Sequence, residues 1–97
     1  MHVVVRSYSG QGASEVFDLL EQKEGEVKDL ISGVPGFVSY VAFRDGGDGG
    51  MTVTVCQDEA GTEESSRRAA GFVKDNATTV GDPPTITEGD TVLHFNS

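Results

Sequence analysis

The chain has 97 residues, a one-domain length, with 36% apolar residues, no Trp, 5 Phe and 2 Tyr. A chain of this size withdraws only about 60–68% of its unfolded surface from water, enough for one two-layer core but not for a roomy enclosed site within a subunit. With 16 acidic residues against 7 basic ones the net charge is −9, and the only adjacent basic pair, Arg67-Arg68, follows Glu63-Glu64. No basic stripe is available to displace counterions from a phosphate backbone, so neither nucleic acid nor an anionic membrane surface is an expected partner.

His2 to Tyr8 is short and rich in β-branched residues, which predicts a strand. Ser9-Gly10-Gln11-Gly12 breaks it, and Ser14 is placed to cap a helix over Glu15 to Ser32. In that helix Val16, Phe17, Leu20, Val27, Leu30 and Ile31 fall on one face, and Glu24 can pair with Lys28 on the other. Gly33 is expected to end the helix in a left-handed conformation, with Pro35 preventing its continuation. Phe37 to Arg44 alternates as a strand, with Phe37, Ser39, Val41 and Phe43 on one face and Val38, Tyr40, Ala42 and Arg44 on the other.

The run from Asp45 to Gly50 is a hairpin connection, and Met51 to Gln57 is the return strand. Asp58 or Thr62 can cap a second helix reaching about Asn76. Glu63 and Glu64 are spaced to pair with Arg67 and Arg68, and Ala69, Ala70, Phe72 and Val73 supply a thin buried stripe. Val80 to Pro84 is a loop, and Thr85 to Phe95 a last strand interrupted by a bulge or turn near Glu88-Gly89-Asp90.

The order β-α-β-β-α-β predicts an α+β, ferredoxin-like fold over residues 1–97, a four-stranded antiparallel sheet with two helices on one face. Right-handed crossovers put both helices on the same side. Apolar side chains on both faces of the strand from Phe37 to Arg44 then require a cover for the other side, and a second copy related by two-fold symmetry is the simplest one.

The junction Val34-Pro35-Gly36-Phe37 leading into a strand with Tyr40, the element order, and the ending Leu93-His94-Phe95 make the chain resemble the dimeric α/β barrel superfamily, which includes antibiotic-biosynthesis monooxygenase-type domains. That resemblance covers essentially the whole chain. It implies a homodimer whose two sheets form a barrel, with ligand pockets between sheet and helices. It also implies activities ranging from cofactor-free oxygenation of aromatic polyketides to haem degradation. Haem-degrading relatives use an Asn on strand one, a Trp near the end of strand three and a His on helix two. Here strand one ends Arg6-Ser7-Tyr8, strand three ends Val55-Cys56-Gln57, there is no Trp, and the second helix has no His. Haem breakdown is therefore disfavoured and no cofactor is expected.

No constellation of residues spells out a reaction. His94 is the acid–base candidate, because imidazole titrates near neutrality, but no carboxylate or nucleophile is placed beside it and a structural role competes. Tyr40 and Tyr8 can donate to a ligand oxygen or bury their rings with the hydroxyl at an edge. Arg6, an isolated cation in an apolar strand, can clamp a ligand carboxylate, although a salt bridge to one of the many acids is the plainer expectation. His2 reads as a frayed end, Cys56 as a packing thiol, and no cluster has metal-ligand spacing. A lone cysteine, no apolar stretch near the ~20 residues that span a bilayer and no secretory pattern make the expected location cytoplasmic. The expected function is binding of a small apolar or aromatic molecule by a homodimer, with cofactor-free monooxygenase-like chemistry. The alternative is a non-catalytic assembly or regulatory ligand-binding domain.

Overall fold

The computed structural model describes residues 1–97. The chain runs through β1 (His2–Tyr8), α1 (Ala13–Gln22), α2 (Glu24–Ser32), β2 (Phe37–Arg44), β3 (Gly50–Cys56), α3 (Glu59–Asn76) and β4 (Thr85–Asp90). The strands form one antiparallel sheet in the order β2-β3-β1-β4, the ferredoxin-like arrangement that the element order predicts.

Alternation along β1 decides which face is inside. His2, Val4, Arg6 and Tyr8 are buried, while Val3, Val5 and Ser7 between them are half-buried on the other face. Tyr8 packs against Ala13, Val16 and Phe17 of α1, its ring meeting that of Phe17 edge-on at 5.9 Å. Leu19, Val27, Ile31 and Phe72, drawn from all three helices, close over Phe37 and Tyr40 of β2. The helices thus share one side of the sheet.

Several local expectations are corrected. The first helix is two, broken at Lys23 (φ −116°, ψ 35°), because Glu21 to Glu26 contributes no apolar anchor and Gly25 weakens the turn that follows. Its N-cap is Gly12 rather than Ser14. Gly33 is right-handed (φ −82°), and the left-handed residue is Gly36 (φ +65°), which turns the chain into β2 while its carbonyl accepts from the Gln57 N–H at 2.7 Å. Lys23 pairs with Glu26, and Glu64 alone holds both Arg67 and Arg68. A register shift between Phe37 and Ser39 moves Phe37 off the face of Val41 and Phe43 and into the helix-side core. Ala70 is exposed, and the buried stripe of α3 is Gly61, Thr62, Ser65 and Phe72.

The last strand stops at Asp90 instead of Phe95. Asp90 stands opposite His2, the first residue of β1, and beyond it only the Thr91 N–H continues the ladder, donating to the Met1 carbonyl at 2.7 Å. Val92, Leu93 and Phe95 are consequently left exposed.

The face away from the helices follows from register. Val3 stands opposite Val55, Val5 opposite Val53, and Val53 in turn opposite Val41, while Met51 faces Ser7 on one side and Phe43 on the other. This is an apolar sheet surface, and Val41 (53%), Phe43 (45%) and Met51 (37%) remain open to solvent.

The close approach of α3 to the sheet rests on Gly61. A Cβ there would meet the Pro35 carbonyl and lie 2.9 Å from the Cys56 Sγ, whereas one on Gly71 would meet nothing within 4 Å. Gly61→Ala is expected to destabilise the fold by about 1–3 kcal/mol through overpacking. Gly71→Ala is expected to stabilise it by up to about 1 kcal/mol through helix propensity. Urea unfolding of the two variants checks both signs.

Candidate functional site

The inward phase of β1 carries a cation into the core. Arg6 is 1% exposed, and no carboxylate pairs with it. Its Nη1 donates to Ser65 Oγ at 3.3 Å and Ser66 Oγ at 3.0 Å, and its Nη2 to Thr54 Oγ1 at 3.0 Å. Its Nε has no partner, nor has the Oγ1 of buried Thr52, the residue directly across in β3. The expected salt bridge is absent because the polar partners that α3 and β3 bring to Arg6 are hydroxyls, and the other α3 residues beside it, Ala69, Phe72 and Val73, are apolar. Hydrogen bonds to a charged group contribute about 1.5–3 kcal/mol each. They offset a desolvation cost of several kcal/mol for the cation without neutralising it.

Space opens beside this group. Arg6, Tyr8, Val16, Ser66, Val73 and Ile86 line part of a cleft of about 500 Å³ bounded by α1, α3, β4 and the segment 77–84. Glu15 fastens that segment, accepting from the Thr78 and Thr79 backbone N–H groups at 3.1 Å and from the Thr78 hydroxyl at 2.6 Å. Those bonds hold the Glu15 carboxyl below its ordinary range, the Thr78 hydroxyl contributing most. Asp82 accepts from the Gln11 N–H and donates its own N–H to the Gln11 carbonyl. A second cleft, of about 630 Å³, lies at the β2 edge beneath α1 and α2, lined by Phe17, Leu20, Ile31 and Tyr40 among others. A narrow interior gap containing Arg6, Tyr8, Tyr40 and Thr52 separates the two.

Of the candidates drawn from sequence, Arg6 and Tyr40 therefore come together, joined by Tyr8. Burial pushes both phenols above their usual range, with the Arg6 charge acting in the opposite sense, so both stay protonated donors at neutral pH. His94 does not join them: it lies beyond β4, off the sheet, and lines neither cleft. The Cys56 thiol is buried and pushed up, first by that burial and then by Asp58, as befits a packing group.

His2 is not a frayed end. It is buried, with Nε2 3.1 Å from Glu88 and 3.9 Å from Glu59, and Nδ1 3.2 Å from Asp90. His2, Glu59 and Glu88 offer ligand atoms within 4.8 Å of one another, a grouping that no sequence spacing discloses. With both ring nitrogens directed at carboxylates the arrangement is that of an imidazolium in an acidic cage.

The hydroxyl residues Thr54, Ser65 and Ser66 were missed in the sequence. Their signal was present: Thr62, Ser65, Ala69 and Phe72 repeat at helical spacing, and an inward cation on β1 needs polar neighbours. Haem can be tested against the same set. Neither cleft is lined by a histidine or cysteine, so the residues do not offer iron a ligand of those types.

No profile of a known protein family matches the chain, and no curated protein sequence matches it. Solved structures do. The ActVA-Orf6 monooxygenase of Streptomyces coelicolor, in complex with nanaomycin D, superposes with a TM-score of 0.66 at 21% identity, over 99% of this chain and 91% of that one. The NE2512 protein of unknown function from Nitrosomonas europaea gives 0.65 at 21% identity, over 99% and 92%. The heme-degrader MhuD of Mycobacterium tuberculosis, with two hemes bound in its active site, gives 0.62 at 17%, over 97% and 99%. The chain is similar to these proteins in fold, the ferredoxin-like arrangement described above.

The acidic cage raises the His2 imidazole above its ordinary value of 6.5, chiefly through Glu88 and then Asp90. A raised value in the folded state means that the stabilisation is complete below pH 6.5 and is lost as pH rises through the folded-state value. His2→Gln is therefore expected to lower the melting temperature more at acidic than at alkaline pH. Melting curves of both proteins across that range check the sign.

Proposed function

We propose that this subunit works as a homodimer and binds a small, mostly apolar or aromatic molecule in the cleft beside Arg6. The observation that carries the reading is the joining of an apolar-walled cleft of about 500 Å³, a size suited to a small organic ligand, to the buried polar side chains of Arg6 and Tyr8 and the half-buried Ser66. Pairing across the open sheet face supports the dimer, because Val41, Phe43 and Met51 would leave water together. The neighbour that binds nanaomycin D supports an aromatic ligand by analogy of fold.

For chemistry, cofactor-free oxygenation of the bound molecule is the first reading. It asks the protein for donors placed where negative charge develops on an oxygen, and the Arg6 guanidinium with the protonated Tyr8 phenol can supply that in the cleft. The second reading is a non-catalytic ligand-binding or regulatory domain. It is favoured by the lack of any imidazole or thiol in either cleft and by the position of His94 away from both. Mass analysis of a bound phenolic ligand after aerobic incubation separates the two: a quinone-level product that has gained one oxygen from O2 and lost two hydrogens, the second oxygen leaving as water, supports the first, and unchanged ligand supports the second.

Phe43→Glu would place a charge in the paired face and is expected to convert a particle of two chains into one of a single chain by light scattering. Ala70→Trp, on the outer wall of the cleft, is expected to leave the dimer intact and to abolish the thermal shift given by aromatic ligands. At a ligand concentration 100 times the dissociation constant that shift corresponds to about 2.7 kcal/mol. A monomeric wild type would overturn the dimer, and no shift with any of a panel of aromatic and quinone-like compounds would overturn the ligand-binding reading.

A further inference from the structure

We infer that Arg6 is the counter-ion of the ligand, so that the cleft selects apolar or aromatic molecules bearing an acidic oxygen, a carboxylate or an ionised phenol or enol. The inference rests on the small-molecule reading above and names the chemistry of what is bound.

The pairing pattern of the arginines argues for it. Arg44 is bound by Asp18 and Glu21, and Arg67 and Arg68 share Glu64. Those three sit at or near the surface, where a salt bridge contributes little. Arg6, the arginine most withdrawn from water, has no carboxylate in a chain that contains 16 of them. Its three hydroxyl partners aim the guanidinium and hold it still, but they are neutral acceptors. The Nε–H and the Thr52 hydroxyl across the ladder are both left without a partner, at 1% and 2% exposure. Arg6 lines both the cleft and the narrow gap that holds Thr52, and a buried cation there with an unspent donor is compensated most completely by an anion that arrives with the ligand.

The surroundings fit the same occupant. Lys74 lines the cleft and adds a second positive charge. Asp82 is the one carboxylate among the lining residues, and the Gln11 backbone N–H occupies it at 3.2 Å. The molecule as a whole carries a net charge of −9 and repels anions at long range. Only local compensation at Arg6 would hold an anion here, which confines the preference to molecules whose apolar part fits the cleft.

The test uses the full chain and two shape-matched pairs of probes at pH 7: naphthoate with naphthamide, and dinitrophenolate with dinitroanisole. Calorimetric titration is expected to show the anion of at least one pair binding about tenfold or more tighter than its neutral counterpart. Which pair discriminates tells a carboxylate ligand from a phenolate or enolate one. In Arg6→Met the preference should vanish while the neutral probes still bind. If that variant does not fold, the wild-type ratios alone decide. Equal affinities within both pairs would overturn the counter-ion and leave the ligand-binding cleft standing. Failure of all four probes to bind would overturn the cleft reading and the counter-ion with it.

Discussion

Strand alternation sends every second residue of β1 under the helices, and at Arg6 it sends a guanidinium there. The packing of α3 answers to that one placement. Its inward face carries Ser65 and Ser66 where a larger apolar side chain would otherwise fill the layer, and Thr54 on β3 completes the set. A hydroxyl is small, so the helix–sheet layer beside these residues stays under-filled, and clefts open on either side of the gap between Arg6 and Tyr40. The polar floor and the space above it thus have one origin.

The rest of the scaffold holds that geometry in place. Gly61 brings the start of α3 against Pro35 and Cys56 at one end of the sheet. Arg68 ties the middle of α3 to the α2 carbonyl of Leu30 at 2.8 Å. Glu15 and Asp82 fix the wall 77–84 to the start of α1, through bonds to exposed backbone that hold a loop in one place without burying it. Arg44 does similar work at the β2 edge, reaching over the Phe17 ring at 5.8 Å to Asp18 and Glu21. These contacts are individually modest. Together they keep three helices at a fixed height over a sheet whose inner surface is partly polar.

Two further features are apolar and open to solvent. The face built from Val3, Val5, Val41, Phe43, Met51 and Val53 is apolar beyond what a solvated sheet carries, and the chain after β4 exposes Val92, Leu93 and Phe95. A subunit with one face of its sheet covered by helices and the other bare and apolar has completed only half of its burial. This is why the proposed pairing and the proposed site are separable in the molecule: the cleft lies under the helices, and the bare face lies across the sheet from it.

Much of the fold was legible in the residues. β-Branched runs, the alternation of Phe37 to Arg44 and glycine-rich breaks locate the strands, since these depend on backbone preference and a period of two. The helices were legible as apolar stripes, but the break at Lys23 was not, because it reflects how far a helix without anchors at Glu21 to Glu26 can follow the sheet. The last strand was over-extended to Phe95 for a related reason: strand propensity is local, whereas a ladder ends where its partner ends, here opposite His2. By itself the sequence determined the element order and the candidacy of Arg6 and Tyr40, while the inward phase of β1 came from the structure. Only the tertiary structure decided that these two meet, that hydroxyls and not carboxylates surround Arg6, that His2 is caged by acids and that His94 stands apart. Each of those depends on contacts between residues tens of positions apart, and such contacts are set by register and helix placement, which no local pattern encodes.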